Sequence, residues 1–458
     1  MTSSIVRHPW QRDLAHYPTG IRRAWYLGMG VVATIILYYQ YSVFPSVSPL
    51  ILKESGLSLQ VYSLINIAVA VAGGIAALLG GLSDRFGRAN LTIIGILISS
   101  LFAVALSLAP NITVFIILVF LLGLEEGVIF AATPALVRDF SPRLSRALGM
   151  GFWLIGPIGG GFLAQFVASQ TLHSFGTWQS QFMIAGIVGL VFSAICFFGL
   201  RDLSPQLRDQ IISTTREKEI VEARARNIDV EEAVKHPWRQ VLRPRVLLAI
   251  LGICFSLIIA TSLLAFFPIY LSSSSTFHYS VADANGLVSI FSIVNVVVGV
   301  VAGFLSDRLL VRKPFMLGGA LVTIIAFVIF ISRTFVSGTP YPVMAVLFAC
   351  FGIGLATLNG TWFAAYSETI EDINPALVGT GFALYGSMVR ILGVVTILAF
   401  IGVVGNGAGY GIWWWICVTG LILFIPSIFL LSGYWSSHRS WATERAKGLD
   451  IEPGIPTA

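Results

Sequence analysis

Twelve stretches of mostly apolar residues follow one another along the chain. They run over 24–50, 59–82, 90–109, 112–138, 146–169, 178–200, 245–271, 282–308, 314–334, 341–368, 376–402 and 410–433. Each has the roughly 20 residues that a helix needs to cross a hydrocarbon core. Backbone groups in lipid must be paired internally, which leaves helices or a closed barrel. The stretches are long and do not alternate apolar with polar, so helices are expected. Composition agrees: 56% of residues are hydrophobic and 11% charged, against about 25% charged in a soluble domain. A water-soluble enzyme and a disordered chain are both excluded. The expected fold class is an all-α integral membrane protein with twelve transmembrane helices in two six-helix bundles. The first stretch is too long for a signal-peptide core and predicts an uncleaved first span.

The polar segments divide the chain. Residues 1–23 form an amino-terminal segment, 24–200 and 245–433 the two bundles, 201–244 a charged connector and 434–458 a carboxy-terminal tail. A helix over about 206–235 is expected in the connector. If both termini lie on one side, that side collects all of the 28 Lys and Arg except Lys53, Arg333 and Arg390. The positive-inside rule makes it the cytoplasmic side of an inner membrane. Basic residues spread along loop edges read as a topology signal, with no nucleic-acid surface. Cys196, Cys254, Cys350 and Cys417 lie inside apolar stretches without a CxxC pair, which predicts neither a disulfide framework nor a metal site.

The halves repeat one another. Gly80-Gly81-Leu82-Ser83-Asp84-Arg85 matches Gly303-Phe304-Leu305-Ser306-Asp307-Arg308, 223 residues on. Arg138-Asp139-Phe140-Ser141-Pro142 matches Glu371-Asp372-Ile373-Asn374-Pro375, 233 residues on, which sets Glu126-Gly127 against Asn359-Gly360. Such repeats point to a transporter in which two bundles rock about a site near the bilayer midplane.

The run Gly80-x-Leu82-Ser83-Asp84-Arg85-x-Gly87-Arg88, between spans two and three, resembles the loop signature of the major facilitator superfamily. It departs at Ala89-Asn90, where a further basic residue is usual. The resemblance covers nearly the whole chain. It implies that family's fold and a latch on the cytoplasmic side, made by Gly80, Asp84, Arg85, Gly87 and Arg88. Arg138 and Asp139 stand where the resemblance places latch partners, and Asp307 and Arg308 belong to the second copy.

Charges deep in a membrane are costly and mark pathways or partners. Three are expected there: Glu125 and Glu126 mid-way along span four, and Arg390 in span eleven. Their depths match and their signs are opposite, so a pair across a central cavity is one reading. Residues adjacent on a helix point about 100° apart, so only one of the glutamates is expected to face it. A carboxyl cycling a proton and Arg390 holding an anionic substrate group both fit. A structural ion pair is the other reading. Gly123-x-x-Glu126-Gly127 with Pro134 resembles the fourth span of family members that carry organic anions and sugar acids, with Val119 in place of their usual arginine. Gly156-Pro157-Ile158-Gly159-Gly160-Gly161 resembles a motif of drug/proton antiporters in the same superfamily. Cavity-lining candidates are Tyr38, Gln40 and Tyr41 in span one, Asn66 in two, Trp153 in five, Asn295 in eight, and Asn359 and Trp362 in ten. The Trp413-Trp414-Trp415 run is expected to form an interfacial belt.

No phosphate-binding Gly-x-x-x-x-Gly-Lys-Ser/Thr loop occurs, and no histidine falls inside a span. The expected function is secondary active transport of a small molecule by alternating access, coupled to protons and without a cofactor, by a monomer. A small carboxylate or sugar acid is the first substrate class and amphipathic drugs the second. A membrane sensor that keeps the fold without transport is the reading from another class.

Overall fold

Helix starts and stops follow local chemistry. The computed structural model describes residues 13–14, 16–77, 86–141, 146–204, 206–208, 210, 237–273, 277–336, 338–374, 377–405, 407, 409–433 and 435, with the side chains of 130–131, 146–154 and 273 excepted. The first half holds α1 (Gly20–Ser55), α2 (Leu59–Ala76), α3 (Arg88–Ser107), α4 (Ile112–Asp139), α5 (Arg146–Phe175) and α6 (Trp178–Gly199). The second holds α7 (Pro244–Ala265), α8 (Val281–Leu309), α9 (Lys313–Arg333), α10 (Tyr341–Ile373), α11 (Val378–Val404) and α12 (Tyr410–Phe424). Ser58, Asn111 and Ser280 cap α2, α4 and α8 by accepting from the backbone N–H three residues on. Gly56, at φ 69°, stops α1. Among the described residues eleven helices are long and apolar enough to cross a membrane. The 30-residue α5 fills the place of the fifth expected span.

The chain divides into two compact units, Met1–Ser213 and Thr214–Ala458. Within each, the same partners meet. In the first, α1 packs on α5 and α6, α2 on α4, and α3 on α4 and α6. In the second, α7 packs on α11 and α12, α8 on α10, and α9 on α10 and α12. Large apolar side chains such as Ile94, Leu101, Val300, Phe304, Ile325 and Leu398 stay exposed on the helices, as a lipid-facing surface requires.

Several expectations need correction. The seventh span is not one helix: α7 stops at Ala265 and a short helix resumes over Phe267–Ser273. Pro268 has no N–H to give the carbonyl of Leu264. Trp413 and Trp414 are buried, and only Trp415 is exposed as a belt residue would be. Trp414 completes an aromatic core with Phe267, Tyr270, Phe327 and Phe330, while the Trp413 ring meets Phe400 at 5.2 Å and its indole donates to Ser262 Oγ at 3.0 Å. The all-α reading misses a two-residue parallel ladder, β1 (Asp13–Leu14) with β2 (Asp202–Leu203). Most of the helix expected over 206–235 lies outside the described residues.

Positive φ recurs at matched positions, in two different conformations. Gly87, before α3, has φ +88° and ψ 139°, and Leu310, 223 residues later and closing α8, has φ +54° and ψ 34°. Leu310 is thus a left-handed cap formed by a residue that is strained in it. That conformation costs a non-glycine residue about 1–2 kcal/mol, and glycine's extra freedom in the unfolded chain takes back about 0.4–1 kcal/mol. Leu310 is 40% exposed, so little packing is lost. Leu310→Gly is expected to raise the melting temperature of the purified protein slightly; a fall would contradict this account.

Candidate functional site

The two adjacent glutamates of α4 face different neighbours. Glu126 lines a small cleft with Leu37, Tyr38, Ile129 and Thr133, between α4 and α1. Tyr41, one turn along α1, is within its electrostatic reach. Beside the cleft α2 and α4 cross with almost no side chain between them. A Cβ on Gly127 would stand 2.0 Å from the carbonyl oxygen of Gly73, and one on Gly73 would stand 2.9 Å from that of Gly123. Glu126 Oε2 sits beside this crossing, 3.5 Å from the position of a Gly73 Cβ. Glu125 turns toward α3, where its Oε1 lies 2.9 Å from the position of a Gly95 Cβ.

The other candidates separate into ligand-facing and structural groups. Gln40 is fully buried and its amide is spent: Nε2 donates to Ser100 Oγ at 2.7 Å and to the Ala185 carbonyl at 3.3 Å, and Oε1 accepts from Ser99. It ties α1, α3 and α6 together and has no donor left for a ligand. Asn66 donates to the Tyr62 carbonyl of its own helix. Tyr38 lines the cleft, and Tyr41 is half-buried. The Trp153 side chain lies outside the described residues. In the second unit Asn295 is half-buried on α8. Asn359 Oδ1 and Trp362 Nε1, three residues apart on α10, are buried without hydrogen-bond partners. The Trp362 ring stacks on Tyr366 at 4.8 Å and lies 5.4 Å from Tyr385 of α11. Arg390 is exposed, twelve residues into the 27-residue α11.

The glycine run of α5 is a packing device. A Cβ on Gly156 would stand 2.3 Å from Thr34 Cγ2, and one on Gly160 would stand 2.4 Å from Tyr38 Cβ. Helix α5 therefore lies flush on α1, against the residues that wall the Glu126 cleft.

At the end of the first unit that holds the amino-terminal segment, four charged groups form a buried chain. Arg88, at the start of α3, bonds Asp139, at the end of α4, with both side chains 6% exposed. Arg208 bridges Asp139 and Asp202 at 3.7 Å each. Asp202 follows α6 and caps α3 from a distance, accepting the Ala89 N–H with both oxygens at 3.0 Å. An N-cap side chain ordinarily accepts this N–H, but the residue in the cap position is Gly87, which has no side chain. A Cβ on Gly87 would stand 2.6 Å from Asp202 Oδ2. The signature glycine thus serves a positive-φ turn and the seat of a remote carboxylate. Burial pushes the Asp202 carboxyl up from the ordinary value, and the Ala89 N–H and Arg208 draw it partly back. Arg138 is exposed; Gly80, Asp84 and Arg85 lie outside the described residues.

The second unit builds a looser counterpart. Arg312, preceding α9, holds Asp307 at 2.5 Å and Glu368 of α10 at 2.9 Å. Arg308 is exposed. Asp202, Arg208 and Glu368 are absent from the sequence reading. Glu368 lies one turn before the matched Glu371-Asp372 pair, which was a usable signal. For Asp202 and Arg208 no local signal exists, because their partners are far away in the chain.

Comparisons with known proteins agree with this architecture. The family model of the Major Facilitator Superfamily matches residues 30–397. The chain is 26% identical over 293 residues to a probable sulfoacetate transporter, SauU, of Cupriavidus necator, covering 62% of this chain and 65% of that protein. It is 27% identical over 256 residues to Multidrug resistance protein 2 of Bacillus subtilis, covering 54% and 57%. It is also 27% identical over 167 residues to the hexuronate transporter of Bacillus subtilis, covering 36% and 39%. The chain thus spans less than two thirds of the length of these relatives. Two solved structures share the fold. One is a bacterial homolog of the human lysosomal transporter Spinster, inward-facing and occupied, with a TM-score of 0.62 at 15% identity over 93% of this chain and 99% of that one. The other is a D-xylose–proton symporter, with a TM-score of 0.62 at 16% identity over 87% and 96%. Family match, repeated helix packing and shared fold lead to one conclusion: the chain belongs to the Major Facilitator Superfamily.

Proposed function

We propose that the protein is a secondary transporter of a small organic anion, working by alternating access and coupled to protons. The observation that carries the substrate class is Arg390. It is exposed in the middle of α11, about 18 Å from the start of that helix at 1.5 Å per residue. Facing hydrocarbon there would be costly, so a water-filled path is the environment that suits it. A guanidinium stays charged and offers a planar fork to a carboxylate or sulfonate. The sulfoacetate and hexuronate transporters among the relatives favour the same class. Glu126, Tyr38 and Tyr41 supply a polar and aromatic wall in the first half. The distribution of Lys and Arg favours both termini on the cytoplasmic side of an inner membrane.

Export of amphipathic drugs is the second reading, favoured by the multidrug-resistance relative. The α5 glycine run lends it little, since packing on α1 accounts for Gly156 and Gly160.

The test is uptake of labelled sulfoacetate and glucuronate into proteoliposomes. A charge-assisted hydrogen bond contributes about 1.5–3 kcal/mol, so Arg390→Gln is expected to weaken the affinity about 10–100-fold. Arg390→Lys should recover part of it. Unchanged uptake by Arg390→Gln would overturn the anion site, and efflux of cationic dyes with no anion uptake would favour the second reading.

A further inference from the structure

We infer that Glu125, not Glu126, is the carboxyl that takes up and gives up the coupling proton, at a site apart from the substrate path. This rests on the proton-coupled reading above and locates its proton. Both Glu125 oxygens are buried and neither has a hydrogen-bond partner. The side chain fills the space left by Gly95 on α3, beside Ile129. Among the described groups, Glu126 on its own helix is the charged neighbour, and it repels a second negative charge. Among the described residues no donor balances that charge, so a proton has to.

The chain supplies its own control. The register that sets Glu126-Gly127 against Asn359-Gly360 sets Glu125 against Leu358. Each residue faces a glycine of the neighbouring helix, Leu358 more closely: a Cβ on Gly319 of α9 would stand 2.8 Å from Leu358 N and 3.1 Å from its Cβ, and one on Gly95 of α3 would stand 2.9 Å from Glu125 Oε1. Leu358 is fully buried. A position that packs as leucine in one half carries a carboxyl in the other. Packing does not call for it, and no partner rewards it. Polar groups of this kind in a membrane mark function. Glu126 is placed differently, in the cleft with Tyr38 and Thr133, which has room for about one water molecule. Separating the two carboxyls lets the proton remain on the protein while the cleft changes occupant.

Two measurements test this on the full chain. The first needs no substrate: infrared difference spectra across a pH step, with the carboxylic-acid carbonyl band as readout. The band should be present in the wild type, lost in Glu125→Gln and Glu125→Leu, and retained in Glu126→Gln. Retention in either Glu125 variant overturns the assignment. Glu125→Leu installs the residue of the other half, so it should fold as well as the wild type. The second measurement is transport of labelled glucuronate and sulfoacetate. Glu125→Leu should lose accumulation driven by a pH gradient while keeping exchange of the same probe across the membrane. Gradient-driven accumulation by Glu125→Leu overturns the assignment. If the wild type carries neither probe, the anion reading fails, while the infrared band still decides the proton site.

Discussion

Gly127→Ala is expected to lower the melting temperature of the detergent-purified protein more than any other single methyl addition in α4. The added Cβ would stand 2.0 Å from the carbonyl oxygen of Gly73 and 2.6 Å from its carbonyl carbon and Cα. These are backbone atoms, so no rotamer change relieves the clash. The helices must separate, and the Gly73–Gly123 contact one turn away opens with them. Overpacking costs about 1–3 kcal/mol where side chains can adjust, and this site lies at or above the upper end. Gly127→Val is expected not to accumulate as folded protein. The matched glycine of the second half is the control. A Cβ on Gly360 would stand 3.6 Å from the Gly299 carbonyl oxygen, an ordinary contact. Gly360→Ala should be neutral, or stabilising by up to the ~0.5–1 kcal/mol by which alanine exceeds glycine in a helix interior. Equal effects at 127 and 360 would contradict the account of the α2–α4 crossing.

That asymmetry shows which parts of the fold were legible in the sequence. Helix number and length come from hydrophobic runs, a local property, and the twelve long helices follow the expected spans. The repeat was legible because whole motifs recur, and the structure extends it to the matching helix pairs that pack in each half. Close packing is a property of pairs. Gly127 and Gly360 look alike in sequence, yet only at Gly127 would an added methyl clash with the neighbour's backbone. Gln40 reads as a polar residue in a span and so as a ligand candidate. Its satisfied partners, Ser99, Ser100 and Ala185, sit on two other helices. The three tryptophans 413–415 form one string, yet two of them face an aromatic core. The divergence of Glu125 and Glu126 follows from helix geometry alone, but which helix each one meets does not.

The same limit hid Asp202 and Arg208, half of the ion cluster that Asp139 centres, and removal of Asp139 is the second large effect expected. Asp139→Ala removes the carboxylate that Arg88 and Arg208 share, both nine-tenths buried, while Arg208 keeps Asp202 at 3.7 Å. Breaking a buried pair by removing one partner costs about 3–5 kcal/mol, and the contacts that Arg88 and Arg208 keep, to the Ala135 carbonyl and to Asp202, hold the loss toward the lower end. The loss should be nearly independent of salt, since buried charges are poorly screened. Asp139→Asn keeps an acceptor for Arg88 and should lose less. The second half again provides the comparison. Glu368→Ala removes one partner of Arg312, but Arg312 keeps Asp307 and Ser306 Oγ, and Asp307 is 68% exposed. Glu368→Ala should therefore cost clearly less than Asp139→Ala. Melting curves of both variants at low and high salt check the order. If Glu368→Ala is as damaging as Asp139→Ala, or if salt erases the Asp139 effect, the buried chain from Arg88 to Asp202 is not what holds the start of α3 to the end of α4.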